Sequence, residues 1–117
     1  MRDHRKLRAF ELADRLVLDV SRRTRTFPRE ELFGLSAQIR RSSLSIPSNI
    51  VEGCARHREA DYVRFLDMAF ASARELEYQL SIAERLGYLH PKEYEAITSL
   101  CGETSKVLNG LLRALRK

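Results

Sequence analysis

The side chains with the clearest capacity for chemistry in this sequence are arginines. Arg8, Arg15 and Arg22 recur at intervals of seven, a spacing that lines them along one face of an α-helix. Arg25 and Arg29 follow, then Arg40, Arg41 and Arg56. A planar guanidinium meets two oxygens of a phosphate or carboxylate at once, which a lysine ammonium does not, and lysine is scarce here against arginine. Two kinds of partner fit these eight arginines. One is the phosphate backbone of RNA or DNA. The other is acidic residues of the chain itself, within or between subunits. No aromatic residues interleave the basic run for base stacking, and no groove-reading motif is visible. Any nucleic-acid binding is therefore expected to follow shape and charge rather than base sequence.

Residues that could support catalysis are poorly arranged. His4, His57 and His90 fall at helix ends or in links, so they share no metal-binding face. No Glu-x-x-His pair of the di-iron bundles occurs, and no glycine-rich phosphate loop. Glu75 and Glu77 are two apart and point to different sides of a helix. Ser42, Ser43 and Ser45 form a hydroxyl cluster with no histidine near in sequence. Cys54 and Cys101 form no Cys-x-x-Cys pair and suit small buried positions. The expectation is a protein that is not an enzyme, with no catalytic residue, metal or cofactor.

Charge is unevenly distributed. Residues 1–34 carry nine basic and six acidic side chains, and 35–58 four and one. Residues 59–86 reverse this, with three and six. The formal net charge is +5, which points to an anionic partner without naming it. At 117 residues one domain over 1–117 is expected, long enough to fold without a metal or disulfide. No apolar signal core and no membrane span are visible, so a cytoplasmic protein is expected.

The elements that position these residues follow from apolar periodicity. Residues 1–6 read as a frayed arm. A first helix runs from about Leu7 to Thr26, with the seam Phe10, Ala13, Leu16/Val17, Val20, Thr24, Phe27. Phe27-Pro28 ends it. A second helix covers Leu35 to about Arg58, with the seam Leu35, Ile39, Ser42/Ser43, Ile46, Ile50, Cys54. Pro47 interrupts that seam, because it cannot donate to the Ser43 carbonyl. Either the helix continues with a kink or it breaks at Ile46 and Pro47 opens another. The seam keeps phase across the proline, which favours the kinked helix. A third helix opens near Asp61 and closes at Gly87, with the seam Tyr62, Phe65/Leu66, Ala69, Ala73, Leu76, Leu80, Ala83. Pro91 opens a fourth, with the seam Tyr94, Ile97, Cys101, Thr104, Leu108, Leu111/Leu112, Leu115. Gly102 and Gly110 within it suggest close approach of another helix. Four amphipathic helices with short links and no strand signal give an all-α fold, an up-down antiparallel four-helix bundle.

Leu44 and Val51 on the second helix, and Val63 and Phe70 on the third, lie outside the seams and one heptad apart. A second apolar strip implies a second packing partner. These four are the candidate oligomer interface, consistent with a cyclic homo-oligomer.

The run FPREELFGLSAQIRRSSLSIPSNIVEG, followed by Arg64–Leu66, ELEYQL and LGYL, resembles the bacterial four-helix-bundle family of 23S rRNA intervening-sequence proteins. The resemblance spans about Phe10 to Leu89. It implies a four-helix protomer, assembly into a ring that includes the pentamer among its forms, and association with RNA. A related branch serves as accessory proteins of diversity-generating retroelements, which implies an alternative role as a scaffold for a partner enzyme such as a reverse transcriptase. The matching motif positions are Gln38, Arg40, Arg41, Pro47, Asn49, Glu52 and Gly53. No catalytic residue comes with them.

Overall fold

The computed structural model describes residues 1–117. Four helices account for most of it: α1 (Arg8–Arg23), α2 (Leu35–Cys54), α3 (Glu59–Arg85) and α4 (Pro91–Leu115). Short 3-10 turns occupy His4–Lys6, Thr24–Thr26 and Arg29–Glu31, and there are no strands. Each helix packs on the one before it, α4 closes against α1, and the α2–α3 contact is the most extensive. The result is the expected up-down bundle, with a longest dimension of 43 Å.

The helix ends follow local chemistry. Thr24 ends α1 by donating its hydroxyl to the Val20 carbonyl at 2.8 Å, competing with the helical backbone pattern. Glu31 accepts the Leu35 N–H at the start of α2. α3 begins at Glu59, two residues before the expected Asp61. Both acids sit in its first turn, where the helix dipole favours negative charge. It ends at Gly87, the one residue with positive φ (79°). Gly87 N–H reaches Glu84 O and Tyr88 N–H reaches Ala83 O, the paired bonds of a Schellman cap. α4 opens with Pro91 in its first turn, and Glu93 accepts the His90 N–H at 2.9 Å.

α2 runs unbroken through Pro47, which is buried, so the continuous alternative holds. Asn49 Nδ2 donates to the Ser45 carbonyl at 2.8 Å and to its Oγ at 3.0 Å. Ser45 and Ser72 share a hydroxyl bond at 2.8 Å that ties α2 to α3. α2 stops at Cys54 rather than Arg58, leaving Arg56 in the link to α3.

Every expected seam residue of α3 is buried. In α1 the buried face is rotated: Ala9 and Leu12 are buried, while Phe10 and Val17 are half-exposed. Cys54 and Cys101 are buried and unbridged. Burial pushes both thiols up, that of Cys101 to about 12.

Three expectations are corrected. Residues 1–6 are not frayed. Asp3 caps the first 3-10 turn by accepting the Arg5 N–H at 3.1 Å. Arg2 N–H takes the Cys54 carbonyl at 2.8 Å. The Arg2 guanidinium lies 3.7 Å from the centre of the Tyr62 ring and pairs with Glu59. The arm is thus fastened across the α2–α3 end. Gly102 and Gly110 are not close-packing positions, since a Cβ on either would meet nothing within 4 Å. The close approach is at Gly53, whose Cβ would sit 2.9 Å from Phe65 Cβ. Finally, the second apolar strip divides. Leu44 and Val51 are exposed, at 57% and 37%, but Val63 and Phe70 are half-buried against the protomer's own core. α3 is flanked by both α2 and α4, so more of its circumference is covered than one seam implies.

Candidate nucleic-acid interface

The eight arginines do not form one continuous surface. α1 and α2 run antiparallel, so Arg8 and Arg56 lie at one end of the bundle and Arg25, Arg29 and Arg40 at the other. Arg15 and Arg22 line a groove between α1 and α4, where Asp19 and Glu103 face them. Arg8, one heptad before Arg15, donates to Glu103 at 2.8 Å. Arg56 stacks over the Phe65 ring at 4.8 Å. Arg41 is exposed on the outer side of α2. The sequence supplies helix faces; chain direction decides which arginines meet, and it divides them.

Arg25, Arg29 and Arg40 do come together. They line a single concavity beside Thr24 and Ser36. Arg40 is half-buried and donates through Nε to Thr24 Oγ1 at 2.9 Å. Thr24 and Ser36 are each only 3% exposed. Sequence reading placed Thr24 in the α1 seam and passed over Ser36. A hydroxyl beside three arginines, at the start of a helix, was the available signal.

Four of the six acids of α3 are paired by other residues, and Glu75 and Glu84 have no ion pair. Arg2 pairs with Glu59, Arg58 and Arg64 with Asp61, Arg116 with Asp67, and Arg74 with Glu77. Of the eight candidate arginines, only Arg8 has carboxylates within 4.0 Å, those of Glu11 on α1 and Glu103 on α4. Within one protomer, therefore, these arginines are not held by α3. This matters because exposed guanidinium groups with no internal carboxylate remain available to external anions.

The serine cluster is occupied by structural bonds. Ser43 donates to the Arg40 carbonyl at 2.9 Å, Ser42 faces Glu75 at 3.4 Å, and Ser45 is bound to Ser72. His4 packs edge-on against Phe10 at 4.7 Å, and His90 sits at the start of α4.

The link residues hold the end of the bundle in place. The Tyr88 hydroxyl donates to Glu31 Oε2 at 2.8 Å, and its ring lies 5.4 Å from that of Phe27. The pocket-bearing α1–α2 link is thereby tied to the α3–α4 link. No helix is long and apolar enough to cross a membrane.

No curated protein shows significant similarity to the chain. Among solved structures, it is similar to a protein of unknown function from the S23 ribosomal protein family of Bacteroides thetaiotaomicron. That similarity has a TM-score of 0.83 at 26% identity and covers 90% of this chain and 95% of the other. The model of the family described as 23S rRNA-intervening sequence protein matches residues 5–110. With that match running through all three links, into all four helices and across every one of the eight arginines, the chain belongs to the 23S rRNA-intervening sequence protein family.

Proposed function

We propose that this protein is a non-enzymatic, oligomeric bundle that associates with RNA, or with nucleic acid more generally, through its arginines. The observation that carries the reading is the set of arginines without internal carboxylate partners, none of which pairs with the acids of α3. Phosphate is the anion best matched to an arginine fork. The exposed Leu44 and Val51 on α2 support contact with further copies of the chain, because an exposed apolar strip gains by burial. A closed cyclic assembly fits such a contact, and a ring of five is the form that the family resemblance implies.

A second reading, a scaffold for a partner enzyme, is favoured by the loop tip before α2, where Leu32 and Phe33 are 50% and 92% exposed. Native mass measurement of the purified assembly, with its copurified components identified, separates the two. The first reading expects a multiple of the 13.6 kDa protomer carrying nucleic acid. A stoichiometric foreign protein without nucleic acid favours the second, and a bare monomer contradicts both.

A further inference from the structure

The concavity at the α1–α2 end has an unbalanced wall. Arg25, Arg29 and Arg40 line it and no carboxylate does, unlike the α1–α4 groove with Asp19 and Glu103. Of the two acids between Arg29 and Arg40, Glu30 neither lines the concavity nor pairs with an arginine, and Glu31 is committed elsewhere: its carboxylate oxygens serve Leu35 N–H and the Tyr88 hydroxyl. Arg40 is held through Nε on Thr24, and its Nη groups make no hydrogen bond within the chain. Ser36 supplies a second, independent sign. It is 3% exposed as a residue and lines the concavity, and its hydroxyl makes no hydrogen bond within the protein; unlike the enclosed, unpartnered Gln79 Oε1 and Ser105 Oγ, it opens to solvent there. A hydroxyl so placed is free to donate to a bound anion. Phe27, Pro28 and Leu32 form the apolar part of the wall, which lowers the local dielectric and strengthens each charge contact.

We propose that this concavity is a phosphate site, and that its occupant is a phosphomonoester, the terminal phosphate of a nucleic-acid strand. Its volume of about 240 Å³ is below the roughly 300–1,000 Å³ of small-molecule sites. It has room for a phosphate group and is smaller than a site built to enclose a whole ligand, which suits the end of a strand. Three cations with no counter-charge favour the terminal group, because a phosphomonoester carries about −1.5 to −2 at neutral pH and a backbone diester carries a single charge. The proposal rests on the reading that these arginines meet nucleic-acid phosphate, and it assigns a particular phosphate to a particular three of them.

The test compares one short RNA strand bearing a 5′-phosphate with the same strand bearing a 5′-hydroxyl, by fluorescence anisotropy, with inorganic phosphate as competitor. Preference for the phosphorylated strand is expected on the order of tenfold, removed by inorganic phosphate. Arg25→Gln, Arg29→Gln and Ser36→Ala, each checked for unchanged helicity by circular dichroism, are expected to bring the ratio of affinities toward one. If inorganic phosphate binds in an Arg25- and Arg29-dependent way but neither strand does, the site stands with a free phosphate ester as its source, and the nucleic-acid reading falls. Equal, salt-sensitive affinity for both strands with no effect of phosphate overturns the site and leaves that reading intact. Absence of binding by both strands and by phosphate overturns both.

Discussion

The Tyr88 hydroxyl donates a 2.8 Å hydrogen bond to Oε2 of Glu31, two residues 57 positions apart in the chain. The other oxygen of the same carboxylate accepts the Leu35 N–H that opens α2. One glutamate thus fixes the start of a helix and joins the two links at that end of the bundle. The motif residues of the Pro-Arg-Glu-Glu-Leu run and of the Leu-Gly-Tyr-Leu run are, in this respect, two halves of one joint.

This joint has a pH signature. The hydrogen bond to Glu31, followed by burial, raises the Tyr88 phenol above its ordinary value. A raised folded-state value means that the contribution is fully present below about pH 10, the unfolded phenol's range. It is lost as pH rises through the folded value, because the unfolded chain then gives up the proton first. Tyr88→Phe is expected to lower the melting temperature near neutral pH and to flatten the loss of stability above pH 10. Thermal melts of both proteins across that range check it, and parallel alkaline limbs would contradict it.

Glycine substitutions separate close packing from mere helix weakness. Gly53→Ala places a Cβ 2.9 Å from Phe65 Cβ and 3.3 Å from the Tyr62 carbonyl. A cost of about 1–3 kcal/mol is expected. Gly102→Ala and Gly110→Ala meet nothing within 4 Å inside α4, and each is expected to gain about 0.5–1 kcal/mol. Denaturant unfolding of the three variants reads the signs directly.

Self-association tests the exposed strip. Leu44→Asp and Val51→Asp place charge on exposed positions, where the isolated protomer tolerates it within about 0.5 kcal/mol. An assembly that buries these residues is expected to dissociate. Sedimentation velocity at fixed protein concentration is the measurement, with circular dichroism unchanged. An assembly indifferent to both substitutions removes Leu44 and Val51 from the interface.

Arg41 is exposed and without an ion-pair partner. Arg41→Glu is expected to weaken binding of polyanions with little change in melting temperature. A melting temperature that falls by many degrees would instead make Arg41 part of a structural pair between subunits.

Much of the fold was legible because helical period and burial agree. α3 is the plainest case: a strip from Tyr62 to Ala83, with Gly87 to close it, is buried along its full length. α1 was read less well because Ala9 and Leu12 extend its buried face to one side of the expected seam, so that the face centres on Ala9, Leu12 and Leu16 and leaves Phe10 and Val17 at its edge. The arm was misread for a different reason. Arg2 is held by Cys54, Tyr62 and Glu59, residues no local pattern connects to it. The arginines were identifiable by type and face, but their separation into a groove, a concavity and a distal end depends on chain direction. Ser36 and Thr24 acquire meaning only once a link folds over them.

The most direct measurement is the affinity for a single-stranded RNA as salt is raised. Each phosphate contact on a single strand contributes about −0.7 to the log–log slope. With Arg15, Arg22, Arg25, Arg29 and Arg41 exposed and lacking ion-pair partners, a slope of roughly −2 to −4 is expected, shallower in Arg25→Gln and Arg41→Glu. A slope near zero, or no binding at low salt, contradicts the nucleic-acid interface.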